Sequence, residues 1–393
     1  MPPRSRSEDI PASLEALLAA KEIVIFCGSG GVGKTTAAAA AAVMAAVKQG
    51  GKVLVLTVDP AKRLADALGI ERLGNVESAV SSDLFLNAGW AEPRGELWAA
   101  MLDTKQSWDD LVWRHAPDRD TAARILDNPL YQNISSRFVQ SHEYIAMERL
   151  YELHSEGNYD LIIVDTPPTR NALDFIEAPE RMADFFSSRL LRLLIVPYRS
   201  RVVNLASRPF YQIADRILGS QFLQDIAEFF ILFQTMYAGF VERAKAVERL
   251  LQDWRTTFVV VSTLEAAPVH EAEFFIEALA GKGFHLGALV LNKILPSYFL
   301  DEGAAARAEW LSSHTGVVAE KAAAATGEDR EQVERVLGEV AESFRNFEVV
   351  AQREAKQRSE LAAVPDVVAT VPYFETDIYD LAGLLRLGET LWS

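Results

Sequence analysis

Short apolar runs alternate with longer amphipathic ones along this chain. "EIVIFC" (22–27) is β-branched, continuous in its hydrophobicity and stopped by glycines, which predicts a buried strand. "KVLVLTV" (52–58), "YDLIIVD" (159–165), "TFVVVST" (257–263), "LGALVLN" (286–292) and "DVVATV" (366–371) repeat the pattern. The alanine-rich stretch 34–49 ends at Gly50-Gly51 and reads as a helix with a glycine stop. Continuous apolar strands separated by helices predict an α/β fold, a mostly parallel central sheet covered by helices on both faces.

Two gaps between strands are long, 70–158 and 172–256, and both are mainly helical by pattern, as in "SSRFVQSHEYIAMERLYELH" (135–154). They predict a helical subdomain, approximately 85–156 and 176–254, inserted between strands. An additional helical segment, approximately 300–363, ends in a long charged stretch. No internal repeat or low-complexity linker divides the chain, so 1–393 is expected to be a single domain. Within the second gap, "FLQDIAEFFILFQTMYAGFV" (222–241) is dense in Phe, Met and Leu. It reads either as a buried core helix or as a surface that cradles a hydrophobic partner helix.

Composition narrows the classes. A chain of 393 residues, 49% of them hydrophobic, can bury a sizeable core. A net charge of −16 argues against broad nucleic-acid binding. No apolar run reaches the ~18–20 residues of a membrane span, and the N-terminal stretch has no apolar signal region. The expected location is cytoplasmic. Arg189 to Ala214 is a local exception, with Arg189, Arg192, Arg199, Arg201 and Arg208 and no acid. It is either a solvated face or a contact for an anionic membrane surface or acidic partner, which would make the protein peripheral at the membrane. The single cysteine, Cys27, excludes an internal disulfide and a self-contained cysteine zinc site.

The chemistry begins at "GSGGVGKTT" (28–36). Gly28, Gly33, Lys34 and Thr35 fit G-x-x-x-x-G-K-[ST] between a strand and a helix, the context that motif requires. The loop residues Ser29, Gly30, Gly31 and Val32, with Gly33, would turn backbone N–H groups around phosphates at the positive end of a helix. Lys34 would reach the β and γ phosphates, Thr35 would place its hydroxyl on Mg²⁺, and Thr36 could reach the α phosphate. Asp59, in "TVDPAKRLADALG" (57–69), ends a strand expected beside the phosphate-loop strand. It would orient or deprotonate a water near the γ phosphate, or else cap the helix 61–68. Asp165 ends the run "LIIVD" and would hold Mg²⁺ through water. Thr166, Pro167, Pro168 and Thr169 then form a stiff loop that could sense the γ phosphate. Asn292 could bond adenine edges through its donor and its acceptor, and Pro372 could pack on the base; an asparagine at a strand end is also a common turn residue. ATP and Mg²⁺ are thus the expected ligands.

"GSGGVGKTT", "VLTVDPAKRLADALG", "VDTPPTRNALDF" and "VLNK", in this order and with a helical insert, resemble the ArsA-type ATPases over roughly 20–390. That family includes the arsenite-pump ATPase and the ATPase that targets tail-anchored membrane proteins, and it belongs to the deviant Walker A class. The resemblance implies a P-loop fold and an ATP-driven dimer with nucleotides at the subunit interface, working for a membrane or client protein. It implies that Lys34, Thr35 and Thr36 serve the phosphates, that Asp59 is the switch I acid, that Asp165 to Thr169 begin switch II, and that Asn292 binds adenine.

The departures are specific. Pro167 replaces the usual Ala of switch II, and Arg170-Asn171 replaces Gly-His. One cysteine cannot supply the thiolate cluster of an arsenite site, which argues against arsenite, and the C-x-x-C zinc clamp of targeting members is absent. Ser29 stands where this class carries a second lysine that reaches across the dimer to the partner's nucleotide. Its loss implies either a heterodimer with a paralogue that supplies the lysine, in place of a homodimer, or slow ATP hydrolysis by a protein that acts mainly as a nucleotide-gated switch.

Overall fold

Eight strands join one sheet in the computed structural model, which describes residues 13–58, 62–71, 73–134, 139–167, 177, 181, 184, 220–361, 365–374 and 376–392. The strands are β1 (Ile23–Gly28), β2 (Gly51–Thr57), β3 (Ser78–Ala79), β4 (Gly95–Met101), β5 (Leu161–Asp165), β6 (Thr256–Ser262), β7 (Leu286–Ile294) and β8 (Val367–Pro372). Their order across the sheet is β3-β4-β2-β5-β1-β6-β7-β8. All neighbours run parallel except β3 against β4. β1 is central, with Ile23 level with Ile162 on one side and Thr256 on the other. Its residues are buried throughout, as a parallel strand covered on both faces must be.

The structure corrects two expectations. The span 85–156 is not wholly helical, because β4 lies inside it as a full strand beside β2. "GELWAAM" hides this: Ala99 and Ala100 are weak strand formers, and burial by the neighbouring strand decides the outcome. The second correction concerns β2, which is not the neighbour of β1. β5 lies between them, pairing with both. Asp59 lies outside the described residues.

Helices cover both faces. From the N-terminus they are α1 (Leu14–Ala20), α2 (Lys34–Met44), α3 (Lys62–Ala67), α4 (Ser82–Asn87), α5 (Thr104–His115), α6 (Arg119–Asp127), α7 (Pro129–Ile134) and α8 (Val139–Glu156). After β5 the described helices are α9 (Ser220–Phe233), α10 (Tyr237–Gln252), α11 (Ala266–Gly281), α12 (Glu302–Thr326), α13 (Arg330–Leu361) and α14 (Leu381–Trp392). One core joins α1, α2, α4 and α14 to the sheet face that carries Val24, Phe26, Val53 and Val55. The other joins α5, α8, α9, α10 and α11 to the face that carries Ile23, Ile25, Leu54 and Leu56. Alternate residues of each strand thus serve opposite layers, as the two-residue period requires.

Several candidate segments find their place. The Phe-rich run 222–241 supplies Phe229, Leu232, Phe233, Met236 and Phe240 to the second core, so this much of it is core. Helix α14 buries Leu381, Leu384, Leu385, Leu391 and Trp392, and Gly388 lets it approach Met44 of α2 closely. Within the expected helical segment 300–363, residues 302–361 form a hairpin of two helices, α12 and α13, between β7 and β8. Trp310, Val317, Val336, Val340 and Phe347 are exposed on it. No helix among the described residues is long and apolar enough to cross a membrane. The Arg189–Ala214 stretch lies outside the described residues.

Candidate functional site

Gly28 ends β1 against β6, where a Cβ would collide with the Val261 carbonyl oxygen. Ser29, Gly30, Gly31 and Val32 then form the turn, and Gly33 is the N-cap of α2 in the left-handed region, at φ 93°. A side chain at Gly33 would be strained by that φ and would also strike Asn292. The first turn of α2 carries Lys34, Thr35 and Thr36, no acid and no side-chain cap. Its amide donors and positive end are therefore open to an anion.

Asp165 gathers the centre. It is fully buried at the end of β5. Its Oδ1 lies 3.2 Å from Lys34 Nζ, and its Oδ2 accepts from Thr35 Oγ1 at 2.7 Å and from Thr57 Oγ1 at 3.0 Å. Lys34 Nζ also donates to the Thr166 carbonyl, and Thr166 Oγ1 donates to the Phe26 carbonyl at 2.9 Å, tying the start of the predicted switch to β1. A buried lysine–carboxylate pair persists only when such bonds satisfy it; removing one partner typically costs about 3–5 kcal/mol. Pro167 follows, while Pro168 and Thr169 lie outside the described residues. Cys27, beneath the loop, is fully buried, and burial pushes its thiol up to about 12, so it stays protonated and inert.

The loop opens on a cleft of about 480 Å³ lined by Gly31, Gly33, Thr36, Asn292, Lys293 and Pro372 among others. Residues from opposite ends of the sequence thus share one wall. Asn292 lies within β7 rather than after it. Its Nδ2 donates to the Val32 carbonyl at 2.7 Å and its Oδ1 accepts from Lys293 N at 2.9 Å. One N–H and one lone pair remain for a ligand. Lys293 holds a left-handed backbone, φ 58°, alone among the described non-glycine residues; such strain collects at functional sites.

The donor set tests well against a nucleotide with a hard divalent ion. A cationic amine, two threonine hydroxyls, a carboxylate and a helix N-terminus converge, which suits phosphate oxygens and Mg²⁺. Among the described residues no three His, Cys, Asp or Glu side chains form a metal site of their own. A cation at Thr35 and Asp165 would therefore take its other ligands from phosphate and water.

The profile of the anion-transporting ATPase family, ArsA_ATPase, matches residues 21–321. This chain belongs to the ArsA ATPase family. It is accordingly an ATP hydrolase by class. A protein of Aquifex aeolicus, provisionally named arsenical pump-driving ATPase 2, is 27% identical over 73% of this chain and 85% of its own length. The ATPase GET3 of Malassezia globosa is 26% identical over 72% of this chain and 77% of its own. An ATPase ASNA1 homolog of Entamoeba dispar is 24% identical over 73% and 81%.

In this ArsA-family site, Tyr373 and Tyr379 escaped the sequence reading. They line the cleft and are 66% and 70% exposed. Nothing local in "PYFETDIY" marks them, because Asn292 joins them only in the folded cleft. Thr57 was missed too, since a lone hydroxyl in an apolar strand has no spacing to mark it.

Proposed function

We propose that this chain is a Mg²⁺-dependent ATPase whose nucleotide lies between two subunits and whose turnover drives a transport or membrane-protein-targeting partner. The convergence of Lys34, Thr35 and Thr57 on buried Asp165 carries the reading. On it, Lys34 leaves Asp165 for the β and γ phosphates, Thr35 offers its hydroxyl to Mg²⁺, and Asp165 holds the ion through water. Bound there, Mg²⁺ would neutralise charge that builds on the phosphates during transfer. Gly28 to Thr36 cradle the phosphates, Asn292 meets adenine and Pro372 packs on the base. Asp59 positions the attacking water, and Asp165 to Thr169 report the γ phosphate to the helical layer. The whole chain acts as one cytoplasmic ATPase domain, in a dimer with a membrane-linked client as the family resemblance implies, and the arsenical pump-driving relative supports a pump as partner. Steady-state ATPase assays test this. Lys34→Ala and Asp59→Asn should each lower kcat by about 10²–10³-fold, the scale of removing one charge-stabilising group. Unchanged turnover in both would refute the assignment.

A second reading rests on Ser29, whose hydroxyl is buried with no hydrogen-bond partner among the described residues. A serine carries no charge where the class uses lysine, so this chain would be a slow, ATP-binding regulatory subunit beside a lysine-bearing paralogue. Trans-acting cationic fingers contribute about 10³–10⁵ in rate. On this reading Ser29→Lys, or mixing with such a paralogue, raises turnover; no rise in either assay rejects it.

A further inference from the structure

The helical layer contains a cavity of about 180 Å³ between α5, α8 and α10, remote in sequence from the phosphate loop. Cavities near 150 Å³ hold a six-carbon ring. Leu111 and Ile145 give it apolar walls, while Ser107, Glu148 and Arg243 give it polar ones. Glu148 is engaged: it accepts from Tyr144 Oη and from Arg243 Nε, at 3.0 and 3.1 Å. Glu152 is engaged as well, by Arg114 and by Arg149 at 3.0 Å. Two donors are left over. Arg243 Nη2 is buried with no partner among the described residues. Ser107 Oγ accepts from Asn75 Nδ2 at 2.8 Å, which leaves its own O–H for another acceptor.

We propose that this cavity is a second ligand site, one that takes a short-chain carboxylate. An unpartnered guanidinium N–H in a buried place forfeits hydration and asks for an acceptor. A carboxylate between Arg243 Nη2 and Ser107 Oγ supplies one to both, and an alkyl tail lies against Leu111 and Ile145. Burial pushes the Glu148 carboxyl above its usual range against the pull of Arg243, and Arg243 Nε stays bonded to it. Burial, with Arg243 and Arg114 nearby, holds the His115 imidazole down at about 4, so it faces the cavity neutral at pH 7. Asp110 is exposed at the edge. The site is independent of the ATPase reading.

Butyrate is the probe, with its neutral isostere butyramide and sodium chloride of equal ionic strength as controls, titrated into the full chain without nucleotide. Thermal midpoint and isothermal calorimetry are the readouts. Butyrate should raise the midpoint saturably, and butyramide and salt should not. Ile145→Phe, which fills the cavity and leaves the Arg243–Glu148 pair intact, should abolish the heat of binding. Ser107→Ala should weaken binding by about tenfold, the scale of a hydrogen bond to a charged group. Arg243→Lys, which loses the fork, should weaken it at least as much; should that variant not fold, Ile145→Phe and Ser107→Ala decide the matter. No saturable butyrate effect, or one that persists in Ile145→Phe, overturns the proposal and leaves the cavity to ordered water.

Discussion

On the sheet face beneath the phosphate loop every residue from Ala37 to Ala46 is buried, and α14 presses Gly388 onto Met44. On the other face the same sheet meets rings. Trp108 stacks on Tyr144 at 5.9 Å, and Phe233 on Phe240 at 5.1 Å. Small side chains let helix and sheet backbones come close, which fixes the origin of α2 and so the position of Lys34. Large rings set the helices further apart and leave irregular gaps. The gaps admit the buried Arg243–Glu148 pair and the cavity. One face is packed for position and the other for volume, and close packing is felt differently when each is altered.

The sharpest way to break this contrast is Trp108→Ala. It empties the ring cluster and should lower unfolding free energy in urea by about 3–5 kcal/mol. A loss under about 1 kcal/mol would show that the ring layer does not fold cooperatively with the sheet. Next in size is Gly388→Leu, which forces a side chain into Met44. Overpacking typically costs about 1–3 kcal/mol. Its informative readout is ATP affinity, which should fall with stability because α14 leans on α2; an unchanged affinity would detach the loop's position from that packing.

The smallest expected effect is a pH dependence. The native His115 imidazole titrates at about 4, below its ordinary 6.5. The unfolded chain therefore binds more protons between those values, so this contribution is complete above pH 6.5 and is lost as pH falls toward 4. His115→Gln should flatten that part of the stability profile, measured by urea midpoints at pH 7 and pH 5. An identical slope in both proteins would assign the acid sensitivity elsewhere.

The difference between the faces also explains what the sequence made legible. Strands buried on both faces announce themselves, and β1, β2, β5, β6, β7 and β8 fall within two residues of the expected runs. The glycine turn between β1 and α2 was legible because its glycines answer to local geometry, Gly33 with its left-handed φ above all. β4 was not, since Ala99 and Ala100 become strand only by pairing with β2. Nor was the intercalation of β5 between β1 and β2, a choice made by chain routing. The Thr57 bond to Asp165, 108 positions away, and the tyrosines of the cleft depend on residues distant in sequence being brought together, which no local pattern encodes.

The α12–α13 hairpin leaves β7 just after Asn292 and Lys293 and returns to β8, which ends at Pro372. The root at β7 is therefore a wall of the cleft, whereas α13 re-enters the sheet at Val367, level with Ala288 at the other end of the strands. Leu295 N, held by Glu354 at 3.3 Å, and Phe299, against Phe344 and Phe347, clasp it near its base. Helix α12 is broken at His314, whose φ of −128° is non-helical, but α13 runs unbroken for 32 residues, and from Glu354 back to Arg330 it reaches roughly 36 Å at 1.5 Å per residue. In mechanical terms it is a pointer fixed to the cleft wall. A tilt of about 5° at the base sweeps the far end through about 3 Å, by the same helix geometry. Displacements too small to notice among the cleft residues would become legible at the hairpin's tip.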